Sequence, residues 1–244
     1  MFSFNTFDSL FDLIQNNDNI IHLTDSEIAQ GIVFPQDTLN KKNAKLLGPR
    51  FYEGQGIFVL SKEEKDGLCF TDQELRLIKP YYTTSQIGRF YTIPYNDYWA
   101  IYTDSSYKNI HSLDNCPNIK NHLDKFLPIF TSDNRPYGLH RARKECFFTG
   151  EKVIAIRKCV GKPIFAYCDF ECYLSQTFNM IQTKRVNQKY LTGLLNSKLI
   201  EFWLKNKGKM QGDNFQLDKE PLQNVPIAAP SIDVQLLIAK LVIV

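Results

Sequence analysis

Cationic side chains concentrate in one part of this 244-residue chain, and their types and spacing suit the binding of anions. Residues 1–134 contain 12 Lys and Arg against 17 Asp and Glu, whereas residues 135–210 contain 15 against 5. A guanidinium can donate two parallel hydrogen bonds to a phosphate or to a guanine edge, and an amide side chain can pair in the same way with adenine. A basic block in a chain of net charge +3 therefore indicates a surface for a polyanion, although a solvated lysine-rich face would give the same composition.

The candidate polyanion contacts fall into a turn-rich loop, the end of a predicted strand, a predicted turn and a glycine-containing loop after a predicted helix. Three arginines lie within nine residues of the first loop, and a structural salt-bridge role is the competing interpretation for them. Lys184 and Arg185, in the turn, are expected to contact phosphates rather than bases. The candidates are Arg135, Tyr137, His140, Arg141, Arg143, Lys144, Arg157, Lys158, Lys184, Arg185, Lys205, Lys207, Lys209, Gln211 and Asn214.

Catalytic motifs for nucleic-acid chemistry are missing from the sequence. An adenine methyltransferase needs an Asn/Asp-Pro-Pro-Tyr/Phe loop to hold a flipped base, and the nearest strings, RPYG at 135–138 and IPYN at 93–96, lack the paired prolines. No Gly-x-Gly loop follows a predicted strand, and GEKVIAIRK at 150–158 has no Pro-Asp before it, as a metal-dependent nuclease would require. We therefore expect no catalytic residue and no bound cofactor in this chain.

The cysteine pattern favours reduced thiols. None of the six cysteines forms a Cys-x-x-Cys pair, and His140 with Cys146, or with Cys168 and Cys172, does not have the spacing of a common zinc site. The N-terminus lacks the basic start of a signal peptide, and no apolar run approaches the roughly 20 residues of a membrane helix. These features predict a cytoplasmic protein with no metal site and no contact with a membrane.

The first half of the chain alternates predicted strands and short helices. The apolar side of residues 1–15 (Phe4, Phe7, Leu10, Phe11 and Ile14) predicts an amphipathic helix. Residues 55–60 predict a strand, and residues 88–93 with 98–103 predict a hairpin. A capping box at Thr71 and Glu74 predicts a helix through Ile78, and Pro117 predicts the start of another.

The second half supplies three further predicted strands, at 152–158, 163–168 and 177–183, followed by one long helix from Asn187 to about Asn206. We predict an α+β fold of mixed sheets with packed helices over residues 1–230, either as one domain or as two lobes, 1–131 and 132–230. Ser231 then begins an apolar helix over residues 231–244 that has no stop signal. We interpret it as a truncated connecting helix of a longer protein.

Several strings resemble the TaqI-like C-terminal specificity domain, the target-recognition domain of adenine-N6 DNA methyltransferases and of type IIG restriction-modification enzymes. Their order and spacing, rather than any one string, carry the resemblance, which extends over nearly the whole chain. They are EIAQGIVF (27–34), GQGIFVLSKEE (54–64), LRLIKPYY (75–82), PNIKNHL (117–123), PYGLHRAR (136–143), FFTGEKVIAIRK (147–158), FAYCDFECY (165–173), YLTGLLNSKLIEFWLKNKGKMQG (190–212) and LDKEPLQNVPI (217–227).

The resemblance implies a sequence-reading module for double-stranded DNA that positions a methyltransferase, with or without a nuclease, in the same polypeptide. S-adenosylmethionine and magnesium are then expected only on those other domains, and the full protein is expected to be a DNA adenine-N6 methyltransferase with or without endonuclease activity. Two alternatives remain open from the residues. One is half of a type I specificity subunit, and the other is a non-catalytic scaffold whose basic block binds acidic proteins.

Overall fold

The computed structural model describes residues 11–15 and 19–242. Of the predicted N-terminal helix, Phe4, Phe7 and Leu10 lie outside these residues, whereas residues 11–15 are helical. Phe11 stacks on Phe202 with 5.3 Å between ring centroids and meets Trp203 edge-on at 5.5 Å. The start of the chain therefore packs against a helix near its other end.

The central sheet is antiparallel and has the order β2-β10-β6-β8. Its strands are β2 (Ile28–Gln30), β6 (Lys152–Ile156), β8 (Phe165–Cys168) and β10 (Phe178–Ile181). Every residue of β6, β8 and β10 is buried, which explains why these strands are mostly apolar rather than alternating, with Lys152 and Asn179 as their two strongly polar residues. A helix at Gln188–Leu195 packs against β6 and β8.

The remaining strands form three further sheets. The first, of order β3-β5-β4-β9, contains β3 (Val59–Ser61), β4 (Ile78–Tyr82), β5 (Tyr98–Ile101) and β9 (Tyr173–Leu174), and only its β4–β9 pair is parallel. The second, of order β11-β12-β7, contains β7 (Lys158–Val160), β11 (Lys209–Gln211) and β12 (Asn214–Gln216). The third pairs β1 (Ile20–Ile21) with β13 (Ile227–Ala228).

The α-helices are short and lie on the outside of these sheets. They are α1 (Lys41–Leu47), α2 (Lys62–Gly67), α3 (Asp72–Leu75), α4 (Pro117–Asp124), α5 (Gln188–Leu195), α6 (Lys198–Lys207), α7 (Lys219–Gln223) and α8 (Ile232–Ala239). None of the helices within the described residues is long and apolar enough to cross a membrane. The predicted α+β class is confirmed.

The predicted capping box begins α3, and the same carboxylate also serves a second helix. Glu74 accepts from the backbone N–H of Thr71 at 2.8 Å and of Ile119, in the first turn of α4, at 3.0 Å. Burial acts to raise the pKa of Glu74, but these hydrogen bonds outweigh it and lower the pKa. The charged carboxylate therefore satisfies the free N–H groups of two helix ends at once.

Three predicted elements differ from the structure. The helix predicted through Ile78 ends at Leu75, because the next residues pair as β4 with β5. The predicted hairpin is wrong: β5 pairs with β3 and β4, and residues 88–93 turn sharply at Phe90, whose φ is 81°. The long helix from Asn187 is two helices, α5 and α6, separated at Asn196 and Ser197.

The break at Asn196 has a tertiary cause. The buried Asn196 side chain donates to the carbonyl of Phe165 at 2.7 Å and accepts from the N–H of Phe165 at 3.3 Å. This exchange ties the end of α5 to strand β8.

The central sheet and the β3-β5-β4-β9 sheet each combine strands from both sides of residue 131, so any two lobes share these sheets. The division into lobes stays a prediction.

Candidate nucleic-acid interface

Residues from four distant parts of the chain line one open cleft of about 940 Å³. Arg141, Arg143, Lys144 and Arg157 all border it, beside β2, β10 and the start of α7. An adjoining depression of about 450 Å³ shares Ser26, Lys144 and Phe147 with the cleft and adds Lys184. We call the two together the cationic cleft. It brings five of the predicted contact residues onto one surface.

The segment 141–144 is held through its backbone, which leaves two of its side chains free. Arg141 and Val33 exchange backbone hydrogen bonds of 3.0 Å in both directions, and the hydroxyl of Tyr102 donates to the carbonyl of Arg143 at 2.7 Å. The side chains of Arg141 and Lys144 are exposed, and no ion pair involves them among the described residues. They can therefore bind an external anion without first breaking an internal contact.

Arg143 is different, because its side chain folds back onto the protein. Its φ is 76°, a left-handed conformation that costs a non-glycine residue roughly 1–2 kcal/mol. The guanidinium donates to the carbonyl of Gly31 at 3.2 Å and to Oε1 of Gln30 at 2.9 Å. Burial and the neighbouring Arg141 lower its pKa, but an arginine remains charged at neutral pH. Arg143 therefore adds positive potential to the cleft while joining the loop to β2.

Arg157 is also engaged within the protein. Its Nε and Nη2 donate to Oδ1 of Asp218 at 3.0 and 2.6 Å, and Lys209 contacts Oδ2 of the same carboxylate at 3.2 Å. Burial acts to raise the pKa of Asp218, and the bonds from Arg157 and Lys209 outweigh it and lower the pKa. One carboxylate thus neutralises part of the charge of two predicted contact residues.

The turn at 184–185 shows the same contrast between a free and a paired cation. Arg185 donates to Glu27 at 2.6 Å and to the carbonyl of His22 at 2.6 Å. Burial acts to raise the pKa of Glu27, but hydrogen bonds from Arg185, Thr183 and Thr24 lower it to about 2. Lys184 is exposed and borders the cleft.

Tyr137 is not on this surface. It has no exposed area, and its hydroxyl donates to Oδ1 of Asp124 at 2.7 Å. A ring that is fully buried cannot stack on a base, so we leave Tyr137 out of the interface proposed below. Arg135 borders a separate shallow depression with Lys108, and His140 is exposed without lining the cleft.

The remaining predicted residues belong to the β11-β12-β7 sheet and to α6. Lys158, Lys209, Gln211 and Asn214 lie on the sheet, where Lys158 is opposite Gln216 and Gln211 is opposite Asn214. Lys205 and Lys207 lie in the last turn of α6, and Nζ of Lys207 is 4.6 Å from the centroid of the Phe11 ring. The sheet meets the edge of the cleft through the bond between Lys209 and Asp218.

Sequence reasoning missed several polar residues of the cleft, among them Lys219 and Gln30. Lys219 borders it and pairs with Asp25 at 2.7 Å, but it sits in the mixed-charge string DKE, which carries no cationic signal. Gln30 lies on β2, over 100 residues before the basic block, and only its bond to Arg143 places it there.

The chemistry available in the cleft is mainly hydrogen bonding and charge. Its polar groups are guanidinium, ammonium, amide, hydroxyl and carboxylate groups, together with the thiol of Cys146. Within residues 11–15 and 19–242, no three His, Cys, Asp or Glu side chains converge as a metal site would require. An open cationic surface with free Arg and Lys donors is suited to a phosphate backbone and to acceptor atoms on base edges.

Comparison with known families identifies the domain. The TaqI-like C-terminal specificity domain matches residues 79–227, more than half of the chain. The chain belongs to this family. The resemblance found in its sequence strings is thereby confirmed. All five predicted residues of the cationic cleft fall within the matched part of this specificity domain.

Solved structures show that the specificity domain shares its fold with part of a larger enzyme. MmeI, a type IIL restriction-modification enzyme solved in complex with DNA, matches 88% of the chain with a TM-score of 0.60 and 12% identity. BpuSI, a type IIG restriction endonuclease, matches 97% of it with a TM-score of 0.49 and 12% identity. The chain spans about 27% of the length of either protein. No curated protein matches it.

Proposed function

We propose that this specificity domain reads a short sequence in double-stranded DNA through the cationic cleft. The observation that carries the proposal is the convergence of Arg141, Arg143, Lys144, Arg157 and Lys184 on one open surface, from three separate segments of the basic block. A polyanion is the ligand that such a surface binds most strongly. MmeI, which has the same fold, was solved bound to DNA.

The internal contacts of these cations indicate a different role for each. Arg141 carries a planar fork, has no internal ion pair among the described residues and extends from a fixed backbone, so it is the candidate for bidentate pairing with a guanine edge. Lys144 and Lys184 are exposed ammonium groups, which suit phosphates. Arg143 and Arg157 hold the walls of the cleft through Gln30 and Asp218.

In the full protein, we infer, the domain positions a DNA adenine-N6 methyltransferase, with or without a nuclease, over its recognised site. S-adenosylmethionine and magnesium would act on those other domains, and this chain would bind neither. The support is family membership together with the 27% share of MmeI that the chain spans. An assay for methyl transfer to DNA, made with the full protein and with this chain alone, tests whether catalysis resides on the other domains.

The direct test of DNA binding is fluorescence anisotropy with random-sequence duplex DNA across a salt series. The variant Arg141→Ala/Lys144→Ala removes the two free cations of the loop, and Lys41→Ala/Lys42→Ala removes two exposed lysines of α1 as a matched control. In random-sequence DNA no particular base is presented to Arg141, so both side chains are expected to contact phosphates. We expect the first variant to lower the slope of log K against log salt by about 2, at about 0.9 per phosphate contact, and the control to leave it unchanged.

Two results would contradict the proposal. The first is an absence of binding by the folded wild-type chain at low salt. The second is an equal loss for both variants, which would show that net charge rather than the cleft is responsible and would favour the scaffold alternative.

A further inference from the structure

A cationic groove separate from the cationic cleft lies between α6 and the turn that joins β7 to β8. It has a volume of about 390 Å³ and is bordered by Arg89, Lys162, Lys198, Lys205, Glu201 and Phe202. Four cations face one carboxylate. None of these residues borders the cationic cleft, so the charge of this groove is additional to that of the cleft.

The three lysines of this groove are unpaired within the part of the chain that the structure describes. Lys198 and Lys205 are seven residues apart on α6, which places them on the same face of the helix about 10 Å apart along its axis. Lys162 follows Gly161, whose φ of +74° makes the turn out of β7. All three side chains are exposed, and the ion pairs among described residues include none of them.

Arg89 forms the wall of the groove rather than a free contact. Its Nε donates to Oδ1 of Asn196 at 3.3 Å, and its Nη2 donates to the backbone carbonyl of the same residue. Asn196 also joins α5 to β8, so the guanidinium is fixed to the junction of two elements. The groove therefore combines one immobilised cation with three flexible ones.

Strand β7 connects this groove to the cationic cleft. Arg157 borders the cleft, Lys158 is exposed at the start of β7, and Lys162 borders the groove. A fully extended chain of five residues spans about 16 Å at roughly 3.3 Å per residue, and the turn at Gly161 shortens the path from Arg157 to Lys162 below this limit. The limit corresponds to about 5 base pairs of B-DNA at 3.4 Å per pair. The separation of the two surfaces along the chain therefore suits contacts with one duplex.

We propose that Lys162, Lys198 and Lys205 bind the phosphate backbone of the duplex within about 5 base pairs of the bases that the cleft reads. This inference rests on the proposed function, since it assigns the groove to the flank of the same DNA. The groove presents ammonium groups, and lysine binds phosphate as a point charge without base selectivity. The groove thus adds affinity and register but no sequence preference.

The test begins with duplexes enriched by this chain from a random-sequence pool. The triple variant Lys162→Ala/Lys198→Ala/Lys205→Ala is compared with Lys41→Ala/Lys42→Ala/Lys45→Ala, which removes the same charge from exposed positions of α1. Anisotropy titrations measure the salt slope and the ratio of affinities for the enriched and a scrambled duplex. Hydroxyl-radical footprinting measures which sugars each protein protects.

For the groove variant we expect a salt slope lower by about 2–3 and loss of protection on one flank, within about 5 base pairs of the selected sequence. The ratio of enriched to scrambled affinity should stay unchanged, because phosphate contacts weaken binding to all sequences alike. The α1 variant should match the wild type in every measurement.

The failures of the two proposals are distinguishable. The groove variant could keep the wild-type salt slope and footprint while Arg141→Ala/Lys144→Ala loses affinity. That result would refute phosphate binding by the groove and leave the proposed function of the cleft intact. A changed affinity ratio would overturn the assignment of the groove to phosphates. If no sequence is enriched by the wild-type chain, the sequence-reading function itself fails.

Discussion

Nε and Nη2 of Arg157 both donate to a single oxygen, Oδ1 of Asp218, at 3.0 and 2.6 Å, while Lys209 contacts the other oxygen at 3.2 Å. The carboxylate lies at the start of α7 and borders the cationic cleft with Arg157, whereas Lys209 lies on β11. This arrangement holds two positive charges at or beside the cationic cleft in a partly neutralised state.

Removing that carboxylate should strengthen binding to random DNA. Asp218→Asn keeps the size of the side chain but frees Arg157 and Lys209, so the salt slope should become steeper by about 1–2. The free energy of unfolding should fall by about 1–2 kcal/mol, because the pair is half-buried and both partners lose a charged contact. Anisotropy and urea unfolding measure the two effects, and weaker DNA binding by a folded variant would contradict this account of the pair.

The bond between Glu27 and Arg185 should make the free energy of unfolding depend on pH in the acid range. The pKa of Glu27 is lowered to about 2, so its contribution is present above the unfolded pKa near 4.5 and is lost as the pH falls through the folded value. We expect Glu27→Gln to be less stable than the wild type by about 1–2 kcal/mol at pH 6, a value discounted for the 40% exposure of Arg185. Urea unfolding at several pH values should show the two proteins converging between pH 4.5 and 2; a constant difference would refute the linkage.

Tyr137 should matter for stability and not for DNA. Its buried hydroxyl donates to Asp124, so Tyr137→Phe should lower the free energy of unfolding by about 1 kcal/mol, which is typical for one lost hydrogen bond. DNA affinity at a temperature where the variant is folded should equal that of the wild type. A large loss of affinity without a change in stability would return Tyr137 to the interface.

The left-handed backbone of Arg143 can be tested by comparing the stability of glycine and alanine variants at this position. Both Arg143→Gly and Arg143→Ala remove the bonds to Gly31 and Gln30, but only glycine adopts a φ of 76° without strain. We expect the glycine variant to be more stable than the alanine variant by about 1 kcal/mol. The reverse order in thermal or urea unfolding would show that the loop changes conformation when the guanidinium is lost.

Local sequence patterns identified the elements whose structure depends on local contacts. The capping box at Thr71 begins a helix, and the apolar runs at 152–156, 165–168 and 178–181 are the central strands. The spacing of apolar residues continues across the break at Asn196, so periodicity alone missed it, although Ser197 carries a local signal: its side chain caps α6 by accepting from the N–H of Ile200. The exchange of bonds with Phe165, 31 residues away, is the part that the sequence does not show.

The candidate site was predictable as a set of residues but not in its internal arrangement. Clustered cations gave Arg141, Lys144 and Arg157. Their division into free and paired groups depends on partners far along the chain: Asp218 is 61 residues from Arg157, and Glu27 is 158 residues from Arg185. A charge pattern contains no information about such long-range pairing, so only the fold separates cations that can bind a ligand from those that hold the structure.

The backbone hydrogen bonds between Arg141 and Val33, with the Tyr102 bond to Arg143, separate the surface chemistry of the loop from its conformation. They involve main-chain atoms of the loop, so they persist with any side chain other than proline at position 141. A different side chain can therefore be presented at this exposed position while the loop keeps its path.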